Sequence, residues 1–269
     1  MGDTLSPAAY NRFKSYLDQG GKLLVMESGM LLSPQGPFAS PRSIAFNRLL
    51  EPFGVTINPD LVYDLRANQM VAIPTGFLRV LRPYPYFLRA QSTRLSPVNA
   101  DLGELGLAWT SSLTITAAKE GTVTPLFLTS EAAGVSSEFA FLDPGQQFST
   151  AGLATRVVAA QLTPEQSSAR LIVVGNSMLA SDEMLQRNPE NLAFVLNAVD
   201  WLAQDEALIA IRSKDRRPPP LVFSSDAVKQ GVKYANLTGV PLLLAVAGLV
   251  HLARRRRLAQ RPYRPGEHS

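Results

Sequence analysis

The stretch Leu171–Leu202, LIVVGNSMLASDEMLQRNPENLAFVLNAVDWL, decides how this chain is expected to fold. Its four leading apolar residues, Leu171 to Val174, read as a strand buried on both faces. Gly175-Asn176-Ser177 reads as a turn. Asn188-Pro189, a capping residue followed by a proline whose missing N–H is harmless at the first helical position, opens a helix. On that helix Leu192, Val195, Leu196, Val199 and Leu202 recur at helical spacing and predict an apolar stripe facing the core. Strand, turn and helix in this order make an α/β unit. A glycine and a serine on such a turn stand where hydrolases place a nucleophile and nucleotide folds place a phosphate.

The surrounding sequence weakens both chemical readings. A serine nucleophile needs a base, and the two histidines of the chain are His251 and His268. There is no cysteine, which removes thiolate chemistry and zinc–thiolate sites. Leu179 stands where the Gly-x-Ser-x-Gly elbow needs its second glycine. Neither a Walker-type loop nor Gly-x-Gly-x-x-Gly occurs, so the chain is not an ATPase and no cofactor is expected. The turn is read instead for its backbone: Gly175 permits close approach, Asn176 tolerates left-handed dihedrals, and Ser177 satisfies a loop N–H. Glu27 and Asp182 follow the two expected core strands. With Asn176 and Ser177 they mark the carboxyl edge, the rim where an α/β fold would hold a ligand or partner. Glu27, Asp182 and Glu183 carry oxygen donors, but they are read as loop acids, and no metal is expected.

Outward from this stretch, Ser6-Pro7 caps a helix in which Tyr10, Phe13, Tyr16 and Leu17 recur at helical spacing, and Gly20-Gly21 ends it. KLLVM, Lys22 to Met26, is a second doubly buried strand. A helix feeding a buried strand is half of a βαβ unit without its leading strand. Residues 43–53 read as another helix. Residues 66–165 hold short β-like runs between Pro, Gly, Ser and Asp, and are read as a β-rich insertion. Within it, RPYPYFLRAQSTR interleaves Arg82, Tyr84, Tyr86 and Arg89 as a candidate aromatic and basic surface. Residues 207–214, ALIAIRSK, are one more expected strand. The expected fold is therefore α/β, with a flavodoxin-like or amidotransferase-like parallel-sheet core, a β-rich insertion and one C-terminal transmembrane helix.

Charge and hydropathy supply the helix. Residues 234–253 carry no charged side chain, and about 20 helical residues span a bilayer core. Arg254, Arg255, Arg256 and Arg257 follow, and by the positive-inside rule they stay cytoplasmic. Gly239 and Gly248 offer close approach to another membrane helix. Seven of the 26 basic residues lie after residue 230 against one acidic residue, leaving 19 basic and 21 acidic before it. A nearly neutral body does not suit nucleic acid. The expected organisation is an extracytoplasmic domain over 1–215, a proline-rich linker over 216–231, a transmembrane helix over 232–253 and a basic cytoplasmic tail over 254–269. That places the chain in the bacterial inner membrane with a periplasmic body. The amino terminus shows no export signal, so the chain is expected to begin inside a longer protein.

Six pieces in order, YLDQGGKLLVM, FNRLLEPFGVTINPDLVYD, VTPLFLTS, ARLIVVGNSMLAS, NAVDWLAQDEALIAIRSK and GVPLLLAVAGLVHLARRRR, resemble the auxiliary component of gliding-motility-type ABC transport systems. Asn176 departs from the Gly-Asp-Ser common at that turn in the family. The resemblance implies a non-catalytic membrane-anchored subunit that partners an ABC-2-type permease and, indirectly, its ATPase. The alternatives are an extracytoplasmic glycan- or peptide-binding module and a degenerate amidotransferase-like or hydrolase-like enzyme.

Overall fold

The computed structural model describes residues 5–75, 77–116, 121–165, 167–203, 248, 249 and 251. The chain divides into two compact units, Met1–Arg217 and Pro218–Ser269, and every described strand lies in the first. Helix α1 (Pro7–Asp18) starts as the sequence predicts: the Ser6 side chain accepts from the Ala9 N–H at 3.2 Å, with Pro7 at the first position. Gly20, at φ +84°, turns the chain out of it.

Strand β1 (Lys22–Met26) leads through the short strands β2 (Met30–Leu32) and β3 (Phe38–Pro41) to helix α2 (Asn47–Leu50). Strands β4 (Val55–Ile57), β5 (Leu61–Asp64), β6 (Asn68–Thr75), β7 (Leu78–Ser92), β8 (Glu104–Ala108), β9 (Leu113–Ile115), β10 (Thr122–Leu128), β11 (Ala133–Ser136), β12 (Ala140–Phe141), β13 (Val157–Thr163) and β14 (Arg170–Val174) follow. Helices α3 (Asp182–Arg187) and α4 (Pro189–Leu202) complete the described domain.

The main sheet runs β1-β14-β13-β10-β7-β6, with β8 on β7 and β9 bridging β13 to β4. β1 and β14 are parallel, registered from Lys22 opposite Arg170 to Met26 opposite Val174. Leu171 and Val173 face Leu17, Leu50 and Phe53, while Ile172 and Val174 face Phe194 and Ala198. The apolar runs at 22–26 and 171–174 are thus strands packed on both faces.

Beyond this pair the expectation of a flavodoxin-like or amidotransferase-like parallel core is overturned. Every other pairing among the described strands is antiparallel. A parallel sheet needs a long crossover for each added strand. Between residues 66 and 165 no helix crosses over among the described residues, and β6 turns directly into β7, which suits antiparallel neighbours. These strands do not close an α/β core from outside: β13, β10 and β7 are the centre of the same sheet. The domain is mostly β, with few helices.

The C-terminal transmembrane helix and the single-pass inner-membrane placement are corrected as well. Among the described residues, no helix is long and apolar enough to cross a membrane. Of the residues read as that helix, 232–253, only Gly248, Leu249 and His251 are described, as helix. Gly239, the 216–231 linker, the 207–214 strand and Arg254–Arg257 lie outside the described residues.

Helix α4 is rotated relative to its apparent stripe. Its buried residues are Asn191, Phe194, Asn197, Ala198, Trp201 and Leu202, while Leu192, Leu196 and Val199 are 40–51% exposed. The polar residues turn inward because the backbone needs them. Asn191 accepts from Gly106 N at 3.0 Å and donates to Gly106 O at 2.8 Å on β8, and Asn197 donates to Val98 O at 3.1 Å. Leu196→Ala is therefore expected to lower unfolding free energy in urea by under about 1 kcal/mol, where a core-facing leucine loses about 2–5 kcal/mol.

Candidate functional site

The carboxyl ends of β1 and β14 lie side by side, and the loops that leave them build the site. After β1 come Glu27, Ser28 and Gly29; after β14 come Gly175, Asn176 and Ser177. The Ser28 and Ser177 hydroxyls are 3.1 Å apart, and the Ser177 N–H donates to Ser28 Oγ at 2.9 Å. Beneath them runs Thr110-Ser111-Ser112, the link between β8 and β9. Ser111 N and Thr110 Oγ1 both donate to Gly175 O, at 2.6 and 2.9 Å. Ser111 Oγ accepts from Gly29 N at 2.8 Å and donates to Asp60 O at 2.7 Å. Both glycines are required by this close approach. A Cβ on Gly29 would meet Asn58 O at 2.1 Å, and one on Gly175 would meet Ser111 O at 2.1 Å.

Asp60 anchors the far side. Its carboxylate accepts from Ser112 N at 2.7 Å and Ser112 Oγ at 2.5 Å, and Asn58 Nδ2 donates to the same hydroxyl at 2.8 Å. Burial raises the Asp60 pKa above its ordinary 3.8, and the two bonds from Ser112 and the charge of Arg156 only partly oppose that rise. The folded state then holds the proton more tightly than the unfolded chain. Stability conferred by this group is greatest at low pH, falls as pH climbs from 3.8 through the raised value, and levels off above it. Comparing urea midpoints across that window with those of Asp60→Asn is expected to show a wild-type decline that the variant lacks; parallel curves would refute it.

The rim residues named from the sequence take different places. Glu27 is 9% exposed and accepts from Ala45 N at 2.8 Å and Phe46 N at 3.2 Å, with Arg42 at 3.6 Å. It thereby fixes the chain entering α2. Asn176 is fully buried. Its amide donates to Ala108 O at 2.7 Å, and its oxygen accepts from Met178 N at 2.8 Å, closing the turn. Ser177 is exposed at the surface of the network. Asp182 is exposed in the first turn of α3, whose cap is Ser181. The structure therefore brings Ser177 to Ser28, while Glu27 and Asn176 are committed to backbone groups.

The second candidate surface separates into two layers. Arg82 and Arg89 are exposed, and Arg89 pairs with Glu104 at 2.5 Å. Tyr84 and Tyr86 are buried among Tyr63, Phe87 and Phe148, with ring centroids 4.8–6.2 Å apart. Burial pushes the Tyr84 pKa up to about 12, and its hydroxyl donates to Leu142 O at 2.8 Å. These rings are core and present no contact face.

The sequence reading missed Ser28, Asp60 and the Thr110-Ser111-Ser112 run. Three successive hydroxyl residues between two strand-like runs were the available signal. Among the described residues, no three His, Cys, Asp or Glu side chains are grouped to hold a metal. Among the described residues, the Ser177 hydroxyl is in hydrogen-bond contact with the Ser28 hydroxyl and with no titratable group.

A family described as an ABC-type uncharacterized transport system matches residues 1–198. An uncharacterized protein of Borreliella burgdorferi (strain ATCC 35210 / DSM 4680 / CIP 102532 / B31) is 24% identical over 272 residues, covering 91% of this chain and 53% of the relative. The chain thus spans about half the length of that relative. Among solved structures, the mmIFT52 N-terminal domain aligns with a TM-score of 0.47 and 19% identity, over 74% of this chain and 72% of that one.

Proposed function

The chain belongs to the family described as an ABC-type uncharacterized transport system, and from that premise we propose that it is a non-catalytic subunit that contacts an ABC-2-type permease and, through it, the ATPase. The match over residues 1–198 carries the auxiliary role in ABC-type transport. The gliding-motility-type assignment rests on the six ordered pieces quoted above, and the permease and ATPase partners on the same resemblance.

The non-catalytic reading is supported by how the polar groups at the strand ends are used. A serine nucleophile needs a base in hydrogen-bond reach, and Ser177 meets another serine. Asp60 is engaged by Ser112, and Glu27 by two backbone N–H groups. The exposed Ser177 and Asp182, with Ser28 seating Ser177 from beneath, serve in this reading as a hydrogen-bonding surface for a partner subunit.

The test is co-purification in detergent of the tagged chain, expressed in its own host, with an ABC-2-type permease and an ATPase. Recovery of both is the expected result. Tight binding of a glycan or peptide by the chain, with neither protein recovered, would replace the subunit reading with a binding module. Ser177→Ala is expected to weaken co-purification without abolishing it, as one hydrogen bond to the partner is lost. Ester or glutamine turnover that this substitution abolishes would overturn the non-catalytic reading.

A further inference from the structure

The hairpin of β6 and β7 carries an unexplained arm. From the pair Thr75–Leu78 to the pair Met70–Pro83 its two strands pair with no third strand among the described residues, before β7 meets β8 at Phe87 and β10 at Gln91. A two-stranded ribbon is marginal by itself in water, and this one is not polar. Phe77 at its end is fully exposed, Leu78 is 72%, Leu81 63%, Met70 54% and Val80 40% exposed.

These side chains do not make one docking face. Strand residues alternate between faces, so Leu78 and Val80 lie on one side of the ribbon, while Leu81 lies on the other together with Met70. Each face also carries one cation: Arg82 beside Leu78 and Val80, Arg79 beside Leu81. Neither arginine has an ion-pair partner among the described residues. No acidic residue occurs anywhere between Asp64 and Asp101.

A ribbon that is apolar at its end and on both faces, and purely cationic, suits an apolar medium with an anionic boundary that surrounds it. A groove on another protein would cover one face and leave the other wet. A second copy would bring four arginines together with no carboxylate to offset them. We propose that this arm is an anionic-lipid contact, with Phe77 and Leu78 at the headgroup–acyl boundary, Leu81 among the headgroups, and Arg79 and Arg82 on lipid phosphates. At ~3.3 Å per residue Arg79 lies about 7 Å from Phe77, comparable to the ~5–10 Å depth of interfacial insertion, with the long side chain free to reach outward. The contact stands apart from the permease reading and needs neither Ser177 nor Asp60.

The experiment uses the full chain and its lack of cysteine. Sedimentation with vesicles reports on the whole chain and does not single out the arm. An environment-sensitive fluorophore on Phe77→Cys does. With vesicles of phosphatidylcholine and phosphatidylglycerol in equal parts, its emission is expected to shift to shorter wavelength and brighten. The same fluorophore on Gln186→Cys, exposed on α3, is expected to stay unchanged. Adding Arg79→Ala and Arg82→Ala is expected to weaken the Phe77 response about 30-fold in lipid concentration, at roughly five-fold per cation. Circular dichroism confirms that the variants are folded. Three outcomes overturn the proposal: a silent Phe77 label on both lipid compositions, an equal response on pure phosphatidylcholine, or a response indifferent to the arginines. A label silent on vesicles that responds only to reconstituted permease overturns it in favour of a protein partner.

Discussion

Asp64→Ala is expected to lower the unfolding free energy by about 4 kcal/mol, because it strips the partners from several buried donors at once. Asp64 has no exposed surface. Its Oδ1 accepts from Arg66 N at 2.9 Å, Ala67 N at 2.8 Å and Ser130 Oγ at 2.7 Å, and its Oδ2 accepts from Ser130 N at 2.7 Å. These bonds close the turn between β5 and β6 and tie it to the loop before β11, which pairs with β5. Each stranded backbone N–H costs about 1–3 kcal/mol, and water entering the gap recovers part of the total. Urea unfolding at fixed pH measures the loss; in heat it is expected as roughly 10 °C of Tm for a domain of this size. Asp64→Asn keeps the Oδ1 acceptor but points an N–H at the Ser130 N–H, so it is expected to fall between. A loss under about 1 kcal/mol for alanine would show that the carboxylate is not the organiser of this corner.

Gly175→Ala is expected to cost about 3 kcal/mol, at the upper end of overpacking effects. The added carbon would lie 2.1 Å from a backbone oxygen, that of Ser111, which cannot swing aside as a side chain can. Ser111 is itself held by its N–H on Gly175 O and its hydroxyl between Gly29 N and Asp60 O. Relief therefore requires moving the network that seats Ser28 and Ser177. The same urea experiment reads the loss, and co-purification with the permease tests whether the rim is used: the variant is expected to lose the partner at temperatures where it remains folded. Gly152→Ala is the contrast in space, since nothing lies within 4 Å of its added carbon; its φ of +69° leaves only backbone strain.

Local chemistry carried the legible part of the fold. Ser6, Pro7 and Gly20 announce α1 because caps act within four residues of themselves. The runs at 22–26 and 171–174 announce strands because side chains packed on both faces leave no polar position. The β-like runs between 66 and 165 were equally visible as strands, but periodicity says nothing of the partner. Whether β13 joins β14 or stands apart is decided by pairing across the sheet. The same limit applied to α4, where Leu192, Leu196 and Val199 look inward on spacing alone. The two asparagines that reverse the helix act on Gly106 and Val98, far away in sequence. At the candidate site, Gly175 was readable as a close-approach residue, and its neighbour proved to be the Ser111 backbone. Asp60 and Ser112 meet only when β4, β5, β8 and β9 are assembled, so no local pattern pointed to them.

The parallel pair at one edge of the main sheet also sets an order of events during synthesis. β1 is made long before β14, its only strand partner among the described residues. At ~5–20 residues per second, a ribosome needs on the order of ten seconds to supply that partner. During that interval Leu23, Leu24 and Val25 have no strand beside them, while the antiparallel hairpin of β6 and β7 needs only adjacent chain and can close early. The nascent domain therefore matures from its middle outward, and β1 is an exposed apolar edge for chaperones to shield until β14 arrives.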